Sequence, residues 1–158
     1  MIMKRNAFSS VALLIVLAFM GACNSDAWDE LPSPIANFIS QYFPFGELES
    51  YSESDGYEIA KIKKGATLTF DSDYEWTDVN GNGAVLPQQF LYDKLPENLY
   101  RYLESVELQY SVYRVVRTSE LITVDLLDTR ITYNQKTGVI TYPEGEGKTS
   151  STISAEGN

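Results

Sequence analysis

The chain has 158 residues, with 12 basic and 22 acidic side chains, no histidine and one cysteine. That length suits one domain, or two small repeats around a shared core. A formal charge of −10 excludes the phosphate-neutralising surface of a nucleic-acid binder. The absence of histidine excludes imidazole bases, Ser-His pairs and His-ligated metals.

At the N terminus Lys4 and Arg5 precede an unbroken apolar run, Val11 to Met20. The run is shorter than the ~20 residues that a bilayer-spanning helix needs. Residues 1–22 therefore read as a signal peptide. Met20-Gly21-Ala22-Cys23 resembles the lipobox of bacterial lipoproteins, with Met where Leu is more usual. The resemblance implies acylation of the Cys23 thiol and cleavage before it; an ordinary secretory signal with an incidental cysteine is the alternative. The chain's only cysteine stands at that site, and an exported protein rarely keeps a lone free thiol. With no second cysteine there is no intramolecular disulfide, so packing alone must hold the fold. Acyl chains contribute about 0.8 kcal/mol per buried CH₂, enough for a multiply acylated cysteine to hold the chain on a membrane. Its acidic charge would otherwise repel anionic lipid heads. Residues 23–30 are polar and acidic apart from Trp28 and read as a tether. Asp26, Asp29 and Glu30 resemble the surface-export signals of Bacteroidetes lipoproteins. The expected address is the cell envelope, as an outer-membrane lipoprotein facing the periplasm or the exterior and touching the membrane through Cys23 alone.

From residue 31 the sequence is written twice. Leu31-Pro32 recurs 64 residues later as Leu95-Pro96. Each pair opens a helical stripe, first Ile35, Phe38, Ile39 and Tyr42, then Leu99, Tyr102, Leu103 and Val106. Proline suits a first helical turn because its missing N–H would find no partner there. Ser33 is a candidate cap, and Pro44 ends the first helix. Runs at Leu48 to Ser54 and Tyr110 to Val116 read as strands. Tyr57 to Ile62 then aligns with Leu121 to Leu126, Leu68 to Asp71 with Ile131 to Asn134, and Trp76 with Val139. Alternation of period 2 puts Ala60, Ile62, Ala66, Leu68 and Phe70 on one face, with Ile122, Val124, Leu126, Ile131 and Tyr133. The other face is polar. The sequence thus predicts an α+β fold: two tandem helix-plus-β-meander repeats forming one antiparallel sheet, with two helices packed on one face. The repeats span about 31–94 and 95–142, and 143–158 reads as a disordered tail.

Leu-Pro, a helix, Tyr42-Phe43-Pro44, Tyr57-Glu58-Ile59, Leu68-Thr69-Phe70-Asp71 and Glu75-Trp76-Thr77-Asp78-Val79 resemble the PepSY-like family described as β-lactamase-inhibitor-like. Its members are small exported proteins of Bacteroidetes. The resemblance covers roughly residues 31–142 and implies two αβ repeats with an open concave sheet face. The second repeat departs from it at Val139 and at the mid-strand Asp125. No catalytic residues belong to the family pattern.

Three constellations bear on chemistry. Asp78, Asn80 and Asn82 with Gly83 match the first half of an EF-hand loop, but Gln89 at its twelfth position lacks the bidentate carboxylate. Pro87 also stands where the exit helix should begin, so a Gly-Asn turn is the main reading and calcium the minor one. Carboxylate pairs could serve a small hydrolase. That chemistry needs a cleft of at least ~300 Å³ holding two acids, one of them desolvated. Finally, Tyr57, Lys61, Thr67, Thr69, Thr123 and Asp125 fall on the polar sheet face, where an exposed tyrosine is a low-entropy contact residue. The sequence therefore points to a non-catalytic envelope protein without cofactor, whose sheet face binds a protein partner in an inhibitor-like manner. The chain's negative charge favours a basic one. A small hydrolase and a structural lipoprotein without a ligand are the alternatives.

Overall fold

Three Leu-Pro pairs, not two, start the principal helices. Pro32, Pro87 and Pro96 stand just before helices Ser33–Tyr42, Gln88–Lys94 and Glu97–Ser105, with φ of −56°, −59° and −52°. The proline ring fixes φ near these values, and each proline carbonyl accepts the first helical bond. The donors are the N–H groups of Ala36, Leu91 and Tyr100, at 3.0, 3.2 and 3.0 Å. The leucine before each proline is buried. Because Pro32 takes the cap position and makes no side-chain bond, Ser33 lies inside the helix and does not cap it.

The computed structural model describes residues 27–142 and the backbone of residues 25–26 and 153–154. The signal peptide, Cys23 and the rest of the tail lie outside the described residues. Four helices, α1 (Ser25–Asp29), α2 (Ser33–Tyr42), α3 (Gln88–Lys94) and α4 (Glu97–Ser105), accompany nine strands. The strands are β1 (Leu48–Ser54), β2 (Tyr57–Ile62), β3 (Thr67–Phe70), β4 (Trp76–Asn80), β5 (Val112–Arg117), β6 (Leu121–Leu126), β7 (Arg130–Asn134), β8 (Val139–Thr141) and β9 (Ile153–Ser154). They lie side by side in chain order, every neighbouring pair antiparallel. The order α2-β1-β2-β3-β4 returns as α4-β5-β6-β7-β8, and the β4–β5 ladder joins both sets into one sheet.

The apolar face of the sheet and the inner faces of the helices form one core. Ala60, Ile62, Leu68, Phe70, Ile122, Val124, Leu126, Ile131 and Tyr133 are all buried, as their period-2 spacing requires. The first half packs aromatically: Phe90 meets Phe38, Tyr42 and Trp76 edge-on at centroid distances of 5.9, 5.7 and 5.4 Å. The second half packs through aliphatic side chains, among them Leu99, Leu103, Val124, Ile131 and Ile140.

Several elements differ from the sequence expectation. The helix layer contains α3, inserted between the halves, which buries Phe90 and Leu91 completely. Val106 is exposed because α4 stops at Ser105, which turns the last position of its stripe away from the sheet. The fifth strand begins at Val112, a 3₁₀ turn over Gln109–Ser111 taking the residues before it. A bulge in β4 pairs Phe70 with Trp76, while Tyr133 pairs with Ile140. Ile140, not Val139, is therefore the structural counterpart of Trp76. Ser25–Asp29, which the sequence places in a tether, is helical because Ala27 and Trp28 pack against the core. In the tail, Ile153–Ser154 pairs with β8 instead of running free.

Candidate binding surface

Side chains on a strand alternate between faces, so the residues between the core positions stand on the far side of the sheet. Register arranges them in two rows. One row runs Ser52, Ile59, Thr69, Asp78, Val116, Thr123, Thr132, Thr141 from β1 to β8. The second runs Ser50, Lys61, Thr67, Asn80, Arg114, Asp125, Arg130 from β1 to β7. Among the described residues every helix packs on the other side. Tyr57, one strand position beyond these rows, is 46% exposed.

All six residues that the sequence places on the polar face lie there, in or beside these rows. Lys61 is exposed, with no ion-pair partner among the described residues, and Thr67, Thr69, Thr123 and Asp125 are half-buried between neighbours. Two of the row cations are fixed by carboxylates. Arg114 donates from Nε to Asp78 Oδ1 at 2.9 Å and from Nη2 to Oδ2 at 2.5 Å, a bidentate contact. Arg130 Nε donates to Asp125 Oδ1 at 2.5 Å. The bond to Asp78 holds the Arg114 guanidinium above its ordinary range, and Asp125 does the same for Arg130. Thr77 Oγ1 donates to the Thr69 carbonyl at 3.2 Å. The rows thus carry Lys61, Arg114 and Arg130 against Asp78 and Asp125, while the whole chain carries −10. The chain's acidic excess lies outside these two rows. Beyond the rows, a cleft of about 550 Å³ is lined by Tyr57, Asp71, Thr77, Arg117 and Gln135. Arg117, on that lining, also places its guanidinium 4.7 Å from the centroid of the buried Trp76 ring.

The EF-hand-like residues are engaged within the protein. Asp78 serves Arg114, and Asn80 Oδ1 accepts the Asn82 N–H at 2.8 Å. Asn82 Nδ2 donates to the Gly65 carbonyl and to Thr67 Oγ1, at 2.8 and 3.0 Å. Asn82 and Gly83 take positive φ, 52° and 95°, the backbone of a tight turn that asparagine and glycine tolerate. Pro87 does not interrupt a helix; it precedes α3. The residue at the first loop position nevertheless extends from strand β4, so no entering helix aims it at a common centre.

On the helix side a second cleft, about 510 Å³, is lined by Tyr92, Asp93, Glu97, Tyr100, Arg101 and Glu104. It has the size and the acid count that a carboxylate hydrolase requires, and the sequence reading did not find it. All three acids are exposed. Glu97 pairs with Arg101 at 2.6 Å, and Asp93 accepts bonds from Gln41 and Gln89.

Known proteins resemble this chain in fold. A Bacteroides vulgatus protein provisionally named as a periplasmic member of the DUF2874 family is 17% identical, with a TM-score of 0.58 over 73% of this chain and 90% of its own. A second Bacteroides vulgatus protein, provisionally named periplasmic and of unknown function, gives 16% identity and a TM-score of 0.61, over 73% and 94%. A Bacteroides thetaiotaomicron protein provisionally named calcium-regulated and periplasmic gives 17% identity and 0.61, over 73% and 92%. No family model and no curated protein matches the sequence.

Proposed function

We propose that the chain is a non-catalytic envelope protein, anchored through lipid on Cys23, whose open sheet face contacts another protein. The observation that carries this reading is the sheet face that no described helix covers. Eight strands present aligned hydroxyls and internally neutralised ion pairs, with Tyr57 exposed at the margin. Hydroxyls on a rigid sheet lose little side-chain entropy on contact, and a tyrosine adds area. The matched solved structures carry periplasmic names, which agrees with the leader and with an outer-membrane address. A PepSY-like, inhibitor-like mode of recognition is part of the same proposal. Calcium regulation, in the name of one fold neighbour, is not carried over, because Asp78, Asn80 and Asn82 are committed to Arg114 and the turn.

The test is site-specific cross-linking in intact cells, with a benzophenone side chain at position 69 of the open face or 101 of the helix face. Position 69 should yield a discrete protein adduct and position 101 none. Adducts only from position 101 would reject the face. The anchor is tested separately: Cys23→Ser should move the chain to the soluble fraction, and unchanged membrane partition would remove the lipid from the proposal.

A further inference from the structure

Strand ends and turns of both halves meet at the cleft of about 550 Å³ beside the two rows: Tyr57 starts β2, Asp71 follows β3, Arg117 ends β5 and Ser119 stands in the β5–β6 turn. Arg117 is held firmly there but paired loosely. Its Nε donates to the Trp76 carbonyl at 3.0 Å, and its guanidinium lies against the buried Trp76 ring. These two contacts fix the plane of the guanidinium, so little orientational freedom is left to lose on binding. The side chain is 28% exposed. Nη2 reaches Glu75 Oε2 at 3.3 Å, and the Glu75 side chain is itself 65% exposed. The other five ion pairs among the described residues close to 2.5–2.8 Å. A charge-assisted bond is usually about 2.7–2.9 Å long, so Glu75 is a displaceable partner. The Nη1 hydrogens of Arg117 have no acceptor among the described residues.

Asp71 lies on the same lining, half-buried. Its Oδ1 accepts the N–H groups of Asp73 and Glu75, each at 3.0 Å, which holds the carboxylate in place. Its Oδ2 accepts no hydrogen bond among the described residues. The lining thus offers a fixed cation with open donors and a fixed carboxylate with an open acceptor. A simple anion suits the first and is repelled by the second; a simple cation does the reverse. A carboxylate with an N–H group beside it suits both, and that pair is the end of an amino-acid unit. We propose that this cleft binds such a unit, the carboxylate on Arg117 and the neighbouring N–H on Asp71. Tyr57, exposed on the same lining, offers aromatic surface to the rest of the ligand. The site needs no protein on the open face, so it stands independently of the role proposed for that face.

The test is an NMR titration of the full chain, purified in a non-ionic detergent, at constant pH and ionic strength. The probes are N-acetylglycylalanine, its C-terminal amide, free alanine and inorganic phosphate. N-acetylglycylalanine or alanine should shift the Arg117 Nε–H and Ser119 amide resonances saturably, and the tighter of the two identifies a chain end or a free amino acid as the source. Arg117→Lys, which keeps the charge but loses the fork, should weaken binding about 10-fold, the effect of losing a charge-assisted hydrogen bond. Glu75→Gln removes the internal competitor at an exposed position and should tighten binding about 2- to 5-fold, the worth of a surface ion pair. Misfolding cannot produce that gain, so Glu75→Gln decides the matter even if Arg117→Lys fails to fold. The proposal is overturned if neither carboxylate probe shifts these resonances, or if the amide or phosphate shifts them as strongly. It is equally overturned if Glu75→Gln leaves the affinity unchanged. None of these results touches the cross-linking from position 69, so the cleft and the open face are tested separately.

Discussion

The two faces of this one sheet are built from alternate residues of the same strands, yet they answer to different physics. On the covered side Ala60, Leu68, Val79, Val124 and Ile131 have no solvent exposure and share a core with three helices. On the open side Lys61, Thr69, Asp78, Thr123 and Thr132 keep contact with water, Asp78 accepts from Arg114, and Thr132 donates to the Thr141 carbonyl. Burial gains about 25 cal/mol per Å² of apolar surface, so the covered side carries the stability. The open side is relieved of that task and keeps hydroxyls and balanced charges available for contact.

Substitutions should separate the two sides. Phe90→Ala removes the ring that joins α3 to Phe38, Tyr42 and Trp76, and should cost about 3–5 kcal/mol in denaturant unfolding. A cost under about 1 kcal/mol would mean that the helix layer and the sheet do not share a core. On the open side the largest effect belongs to Arg114→Ala, which strands a half-buried Asp78 and should cost about 1–2 kcal/mol. If this exceeds the Phe90→Ala cost, the division of labour between the faces is wrong.

Alkali should reach the covered side last. Burial raises Tyr42, Tyr51, Tyr100 and Tyr102 above the ordinary tyrosine value, and all four pack against the core. A raised value in the folded state stabilises below the unfolded one, and this stability is lost as pH rises through the folded value. Tyrosinate absorbance of the folded chain should therefore lag behind that of the unfolded chain above about pH 10, and stability should fall in that range. Superimposed titration curves would contradict the packing. Least of all, Thr69→Ala and Thr123→Ala should each change stability by no more than about 0.5 kcal/mol while weakening cross-linking of the open face.

Period-2 alternation made both faces readable from residues alone, because each strand needs only its own neighbours to decide which side chains point to the core. What crosses between strands was not readable that way. Asp78 and Arg114 lie 36 residues apart and meet only through the β4–β5 register, and the β4 bulge shifts the counterpart of Trp76 to Ile140. The helix α3 had a signal in Leu86-Pro87, the same pair that starts α2 and α4. Its adjacent Phe90 and Leu91 give no stripe of helical period, which is why pattern alone passed over it. The helix-side cleft lies within one stretch, residues 92–104, but it forms only where α3 gives way to α4, a junction that no single helical stripe reports.

Hydroxyl-radical footprinting offers the most direct test of the open face, with Tyr57 on that face and Tyr92, 66% exposed on the helix side, compared within one molecule. Oxidation of Tyr57 relative to Tyr92 should fall when the protein sits in the intact envelope rather than purified in solution. An unchanged ratio, or protection of Tyr92 alone, would contradict the assignment of the open sheet face as the surface this protein uses.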